Sequence, residues 1–382
     1  MLKDYEKILD RVTEKYRNGI DKAVALGHIP YIGEGKNWLP SPFDGESWWT
    51  NGFWTGMMWQ LYHRSGDEAF LREARRTGEV LAQEFRSFNK LNHDVGFMYL
   101  LSAGADQLLT GREDAKRDLL HAAELLMGRF NPVGFIRAWN EPERVGYAIV
   151  DCMMNLSLLF TASALTGDPR FRKVAVIHAD TTKTHFVRED GSLRHIVEFD
   201  PETGNEVSVP QGQGFSPESS WSRGQAWGLY GFTLAYINTG KTEYLETAEK
   251  IAAYFDKHIR KDGLTDCDFC QPREPERIDN LAGAIAACGY LELAEVTGNQ
   301  RYRETALRLL DGLIDLCCDL SDNTVGLLTR CTARYHGDQA GENVNMVYGD
   351  YFFTEALCKL CGTDPRFWTN GKRQPPDTEG KA

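Results

Sequence analysis

The chain has 382 residues, of which 42% are hydrophobic and 26% are charged. This composition is typical of a globular protein with a large core, and no apolar run approaches the roughly 18–20 residues of a membrane helix. The formal net charge of −12, without any Lys/Arg block, argues against nucleic acid as a partner. The amphipathic N-terminal segment lacks the apolar core of a signal peptide, so we expect a cytoplasmic protein that binds neither membrane nor nucleic acid.

A short motif, a glycine followed by two polar residues and often an aromatic one, recurs six times along the chain. Its glycines are Gly66, Gly111, Gly167, Gly240, Gly298 and Gly362. A glycine just after a helix ends it in the left-handed conformation, and the Asp, Thr or Asn that follows can cap the next helix. Repeats a few tens of residues apart predict a series of helix pairs.

The two helices of each pair differ in chemistry. The segment before each glycine is rich in Gly, Ala and aromatic residues and is predicted to be buried. These segments are 52–62, 94–109, 146–165, 223–237, 280–296 and 348–360. The segments after the glycines, and the opening one, are amphipathic with a charged face. They are 5–26, 68–85, 113–130, 170–186, 244–259 and 302–317.

Six buried and six amphipathic helices predict an all-α fold, an (α/α)6 barrel with an inner and an outer ring. The absence of a linker predicts one domain over residues 1–382. Alternating apolar residues at 192–199 and 206–209, around a turn at 200–204, predict a β-hairpin inserted at about 190–212. The last residues, about 368–382, are predicted to form a polar tail.

Asp151 and Asn155 occupy the most apolar of the predicted inner helices, one turn apart on one face. A carboxylate in such a setting is costly unless it is paired, hydrogen-bonded or used in chemistry. A structural aspartate that braces neighbouring backbone is the simpler interpretation, and the residue type alone leaves both open.

The inner helices of such a barrel run in one direction, so their N-termini gather at one mouth. The unusual polar and aromatic residues of the chain fall there: Trp49, Asn51, His93, Asp94, Trp139, Asp151, Arg223, Trp227, Asp279 and Asp350, with His195 and Gln211 from the insertion. Aromatic platforms with a few carboxylates are typical of a sugar site. Asp279 and Asp350 can also be simple helix caps.

Nine cysteines include two C-x-x-C pairs, Cys267/Cys270 and Cys358/Cys361. A zinc site needs both pairs, or one pair with histidines, at one place. One pair falls in a loop and the other at a helix end, and an odd number of cysteines does not indicate a disulfide framework. We therefore expect no metal, no disulfide and no organic cofactor, and leave any role of these pairs open.

Three stretches, at 92–103, 149–156 and 221–232, closely resemble the unsaturated glucuronyl hydrolases of glycoside hydrolase family 88, and 49–54 and 348–351 add to the likeness. The resemblance runs from about residue 40 to about residue 360. It implies the same barrel. It also implies removal of a 4,5-unsaturated uronic acid from the non-reducing end of lyase-made oligosaccharides, through hydration of the C4=C5 double bond.

The resemblance also assigns roles to residues. It makes Asp151 the general acid/base and Asp94 its supporting aspartate. It places in the sugar subsite Trp49, His93, Trp139, His195, Gln211, Arg223 and Trp227. Arg223 is then the expected forked partner of the substrate carboxylate. Burial is expected to raise the pKa of Asp151, and an ionised Asp94 to raise it further.

Three alternatives remain at this point. One is an unsaturated rhamnogalacturonyl hydrolase acting on pectin fragments by the same chemistry. Another is an ordinary inverting glycosidase on the same barrel. The third is a helical toroid that binds sugar or protein without catalysis. Fold alone does not decide among them. The aglycone, the linkage, the sulfation preference and the oligomeric state are left open by the sequence.

Overall fold

The computed structural model describes residues 3–43, 45–337 and 342–375, and within them helices dominate. The inner helices are α2 (Asn51–Ser65), α4 (Val95–Tyr99) continued by α5 (Ala105–Thr110), α7 (Cys152–Thr166), α9 (Ser222–Thr239), α11 (Asn280–Thr297) and α13 (Val347–Leu360). The outer helices are α1 (Tyr5–Ala25), α3 (Glu68–Gln83), α6 (Glu113–Gly128), α8 (Pro169–His185), α10 (Thr242–His258) and α12 (Gln300–Leu316).

The inner helices close a ring. Contacts run from α2 to α4, then to α7, α9, α11 and α13, and α13 returns to α2. The outer helices pack on this ring, and one continuous cluster of buried apolar side chains extends from Leu9 to Trp368. The predicted all-α (α/α)6 barrel is therefore confirmed. In the described part of the chain, no helix is long and apolar enough to cross a membrane.

The recurring glycines end the inner helices as the sequence predicts. Five of them follow directly on the last helical residue with φ between 69° and 73°, at Gly66, Gly111, Gly167, Gly240 and Gly298. This left-handed conformation strains residues that carry a Cβ. The side chains of Asp67, Asp168 and Asn299 then cap the following outer helices.

The third inner helix starts later than predicted. Residues Tyr147–Ile149 form a strand, β5, that pairs antiparallel with β6 (Ile196–Phe199), which in turn pairs with β7 (Glu206–Ser208). Gly146 touches β6 so closely that a Cβ there would lie 1.9 Å from the carbonyl oxygen of Phe199. The prediction of a helix from residue 146 was wrong because a short apolar run suits a buried strand as well as a helix.

Five further short strands complete the mouth of the barrel. Strands β1 (Ile32–Glu34), β2 (Asn37–Leu39) and β8 (Asn345–Met346) form one small sheet, and β3 (Phe130–Asn131) pairs with β4 (Phe135–Ile136). Strand β8 leads directly into α13. These strands were not predicted, since segments of two or three residues carry no periodicity that a sequence pattern can show.

The C-terminal segment differs from the predicted tail at about 368–382. Trp368 is only 2% exposed. Its Nε1 donates to Glu355 at 2.9 Å, and its ring lies parallel to Phe352 with centroids 6.1 Å apart. This residue is therefore core, and the part of the tail at 376–382 lies outside the described residues.

Candidate active site

A cavity of about 1030 Å³ opens where the inner helices begin. Its walls come from the segments that precede these helices and from the β6–β7 insertion. The predicted site residues that line it are Trp49, His93, Asp94, Trp139, Asp151, His195 and Gln211. Two others, Arg223 and Trp227, are buried and do not line it.

Asp151 is placed by the strand that replaces the first turn of the predicted helix. It directly follows this strand region and stands at the N-cap position of α7. Val150 N donates to His195 O at 3.0 Å, and this ladder bond sets the two side chains next to each other. Oδ1 of Asp151 has no hydrogen-bond partner, and burial raises the pKa of Asp151 to about 7, against the opposing charge of Arg223.

His195 is held in one tautomer. Its Nδ1 accepts a hydrogen bond from the backbone N–H of Gln213 at 3.0 Å, so the ring proton is on Nε2. Nε2 lies 3.6 Å from Oδ1 of Asp151. Burial, and then the charge of Arg223, lower the pKa of His195 to about 3. The imidazole is therefore a neutral N–H donor at neutral pH and cannot be the base.

Asp94 stands just before α4 and faces the same cavity. Its Oδ1 lies 3.4 Å from Nδ2 of Asn155 and 3.5 Å from Nε2 of His93. Asn155 also accepts from Phe97 N at 2.7 Å, which joins α7 to α4. The one-turn spacing of Asp151 and Asn155 thus serves a bridge between two inner helices, and Asn155 belongs to the site although the sequence analysis gave it no role.

Burial is the main cause of the raised pKa values of both aspartates. It raises the pKa of Asp94 to about 8, and repulsion from Asp151 adds to the rise. It raises the pKa of Asp151 to about 7, and the charge of Arg223 opposes this rise. Because the pKa of Asp94 is itself raised, Asp94 is mostly protonated at pH 7, whereas we expected an ionised Asp94 beside Asp151.

Arg223 is committed to protein partners. Its Nη1 donates to Asp279 Oδ2 at 2.6 Å and to Thr332 O at 2.9 Å, and its Nη2 donates to Ala333 O. Its guanidinium also lies over the ring of Trp221, 4.5 Å from the centroid. These contacts join α9 to the loop at the rim of the cavity and leave the positive charge close enough to act on Asp151.

The two aspartates that could be simple helix caps have separate structural roles. Asp279 caps α11 through Leu281 N and also binds Arg223. Asp350 lies inside the first turn of α13, where it accepts hydrogen bonds from Tyr16 Oη, Leu327 N and Leu328 N, and from Asn345 Nδ2. Asp350 does not line the cavity and braces the segment before α13.

Aromatic rings give the cavity two platforms. Trp49 packs against Phe97 and Tyr348 with centroids 5.6 and 5.0 Å away, and the wall continues outward through neighbouring Trp48. The second platform is Trp139, whose ring lies 4.9 Å from the guanidinium carbon of Arg144. Flat aromatic faces beside carboxylates and amides suit a sugar ring, which is apolar on its faces and polar at its edges.

Several cavity residues were missed from sequence: Tyr31, Lys90, Arg144, Arg277, Arg334, Glu342 and Tyr348. Tyr348 lies within a stretch that carries the family resemblance and could have been found. The others lie mostly in irregular loops, where spacing does not tell which side chain faces the cavity. All nine cysteines are free. Among the residues that the structure describes, no group of His, Cys, Asp and Glu side chains is arranged to hold a metal ion.

Comparisons with known proteins show the family to which the chain is similar. Residues 32–236 match the family described as Glycosyl Hydrolase Family 88. The chain is 36% identical over 344 residues to the unsaturated glucuronyl hydrolase of Bacillus sp. (strain GL1), covering 87% of this chain and 90% of that protein. It is 34% identical over 332 residues to the unsaturated chondroitin disaccharide hydrolase of Streptococcus pyogenes serotype M1, covering 84% and 83% of the two chains.

A solved structure shows the same likeness in three dimensions. The unsaturated glucuronyl hydrolase from Bacillus sp. GL1, described as responsible for the degradation of glycosaminoglycan, superposes with a TM-score of 0.87 at 34% identity. The match covers 94% of this chain and 97% of that one.

Proposed function

The chain belongs to glycosyl hydrolase family 88, and from that membership and the site geometry we propose that it removes a 4,5-unsaturated uronic acid from lyase-made oligosaccharides. The substrates are of the glycosaminoglycan type, such as chondroitin, hyaluronan or heparin disaccharides, in keeping with the relatives named above. The reaction is hydration of the C4=C5 double bond, with the whole chain acting as one catalytic domain.

The observation that carries this proposal is the state of Asp151. Its carboxyl group faces the cavity and is buried, and one oxygen has no protein partner. A pKa of about 7 leaves it protonated below neutral pH, where an ordinary aspartate is ionised. A protonated carboxyl group with a free oxygen is suited to deliver a proton to a substrate atom.

In the proposed reaction, Asp151 gives its proton to C4, and the ring oxygen stabilises the positive charge that develops at C5. A water molecule adds its oxygen to C5 and returns a proton to the aspartate pair. The resulting hemiketal opens to a ketone at C5 and a hemiacetal at C1, which releases the aglycone and leaves an aldehyde. Because water does not attack C1, the distance between the carboxylates does not predict stereochemistry here.

The other residues have supporting roles in the proposal. Neutral His195 offers its Nε2–H to the substrate or to Asp151 as it ionises. Trp49 and Trp139 stack on sugar rings, while Gln211 stabilises its own loop by donating to Gly212 O and Gly214 O. Arg223 keeps Asp151 acidic enough to release its proton. We expected Arg223 to bind the substrate carboxylate directly. To do so, it would have to break its hydrogen bonds to its present protein partners.

The test follows the ultraviolet absorbance of the conjugated double bond on unsaturated chondroitin, hyaluronan and heparin disaccharides. Wild type and the exposed control Asp21→Asn are expected to remove the absorbance, and Asp151→Asn is not. Loss of absorbance only on pectin-derived disaccharides would favour the rhamnogalacturonyl alternative. Release of reducing sugar without loss of absorbance would favour an ordinary glycosidase, and no turnover of any sugar would favour a binding toroid.

A further inference from the structure

Arg129 is a largely buried cation that the mechanism above does not use. It follows the last residue of outer helix α6 and precedes β3. Burial lowers the pKa of Arg129 to about 10, so that it remains charged at neutral pH. Since an unpaired buried charge is costly, its partners should reveal its purpose.

The partners of Arg129 lie in one short segment that carries a sugar platform. Nε donates to Arg137 O at 2.9 Å, and Nη2 donates to Ala138 O at 3.0 Å and to Trp139 O at 2.8 Å. Nη1 donates to the side chain of Asn140 at 2.8 Å. One planar guanidinium thus fixes four consecutive residues, which a single ammonium group cannot do.

The same segment is tied to the loop of the second aspartate. Ala138 O, which accepts from Arg129, also accepts from the backbone N–H of His93 at 3.2 Å. Asn140 Nδ2 donates to Leu91 O at 3.0 Å. The charge of Arg129 is near enough to Asp94 to oppose the rise in its pKa. Arg129 therefore holds the Trp139 platform directly and, through Ala138 and Asn140, is linked to the loop that carries His93 and Asp94.

We propose that Arg129 is a positioning residue that holds the Trp139 platform in register with the His93–Asp94 loop. It does not line the cavity and touches no substrate. Its counterpart is Arg223, which in the same way donates to the carbonyls of Thr332 and Ala333 at the rim of the cavity while standing near Asp151. Each aspartate thus has a nearby guanidinium that anchors a rim segment.

The test uses Arg129→Lys, which keeps the positive charge but removes the planar guanidinium that donates to four consecutive residues. Trp139 is expected to lose its fixed position, so that KM for the unsaturated disaccharide rises about tenfold while kcat changes less than threefold. The matched control is Arg308→Lys. Arg308 donates to the carbonyls of Ile259 and Arg260 and so also links two segments, but away from the cavity. This variant should retain the wild-type KM.

A double-mutant cycle separates positioning from general destabilisation. If Arg129 acts through Trp139, Arg129→Lys should change KM less than twofold in a Trp139→Ala background. An equal tenfold rise in that background, or a wild-type KM in the single variant, would overturn the inference. A loss of activity that follows only the unfolded fraction, measured by thermal unfolding, would also overturn it.

This inference rests on the proposed function, and the two fail differently. If the proposed function is wrong, wild type itself leaves the double bond intact. If wild type is active and the effects of Arg129→Lys and Trp139→Ala on KM are additive, only the role proposed for Arg129 is wrong.

Discussion

Oδ1 of Asp151 lies 3.6 Å from Nε2 of His195, and neither atom has a hydrogen-bond partner in the described part of the chain. Buried polar atoms without partners are uncommon in folded proteins and ask for an explanation. Here both residues line the cavity: Asp151 has a carboxyl group whose pKa is about 7, and His195 has a ring nitrogen that carries a proton. A proton source and a neutral donor therefore stand side by side in the cavity wall.

Substitution of Gly212 tests the position of His195. A Cβ at residue 212 would lie 2.0 Å from Nδ1 of His195, so Gly212→Ala must displace the imidazole or break its bond to Gln213 N. We expect kcat/KM to fall about 10- to 100-fold, within the range of positioning and acid–base effects. The control is Gly19→Ala in α1, where an added Cβ meets nothing within 4 Å. Unchanged kinetics in Gly212→Ala would contradict the role given to His195.

The pH dependence of the reaction should follow Asp151. As pH rises through about 7, the carboxyl group of Asp151 loses the proton that it must deliver, so kcat/KM is expected to fall on the alkaline side. The charged or titratable groups near it are Arg223, His195 and Asp94. His195 has its pKa lowered to about 3 and does not titrate in this range. A profile that rises from pH 6 to pH 8 would refute a general acid here.

The pKa of Asp94 should also appear in protein stability. Its folded-state pKa of about 8 exceeds the usual value of an unfolded aspartate, so the folded form holds a proton that the unfolded chain has lost. Its contribution is therefore present in acid and is lost as pH rises toward 8. We expect Asp94→Asn to raise Tm by a few degrees at about pH 8.5 and to bring no gain at about pH 4. A Tm difference that is the same at both pH values would contradict this assignment.

Asp350 should behave as a structural residue, in contrast to Asp151. It accepts from two backbone N–H groups and from Tyr16 and Asn345 in the core. In Asp350→Asn, the new side-chain N–H group would face hydrogen-bond donors rather than acceptors. We expect this to lower the free energy of unfolding by about 2–4 kcal/mol. In chemical denaturation, the denaturant concentration at the midpoint should fall. Without denaturant, the folded variant should keep the wild-type pH profile of kcat/KM. Full stability with lost activity would instead make Asp350 part of the reaction.

The sequence predicted those parts of the fold that depend on periodicity and on local turn chemistry. The glycines after the inner helices and the apolar stripes of α10 and α12 are local signals, and the helices that they predict are present. The start of α7 was mispredicted because the pairing of Tyr147–Ile149 with β6 is a contact between distant segments. Such pairing overrides local pattern and cannot be read from one stretch alone.

The site was predictable to the extent that the resemblance named its residues. It brought Asp94, Asp151 and His195 together, and these do line one cavity. It could not show that Arg223 is engaged by Asp279, or that the pKa of Asp94 is raised as well as that of Asp151, because both depend on interatomic distances and burial. Nor could it reveal Arg129, whose partners are mainly backbone carbonyls, which no side-chain pattern encodes.

In the proposed reaction, Asp151 transfers a solvent-derived proton to C4 of an unsaturated uronic acid. The most direct measurement runs the reaction in D2O and locates deuterium in the released keto acid by NMR. We expect one deuteron at C4, added to a single face, with wild type, and a rate about 10²–10⁴-fold lower with Asp151→Asn. Release of the sugar with its double bond intact and no deuterium at C4 would contradict the account.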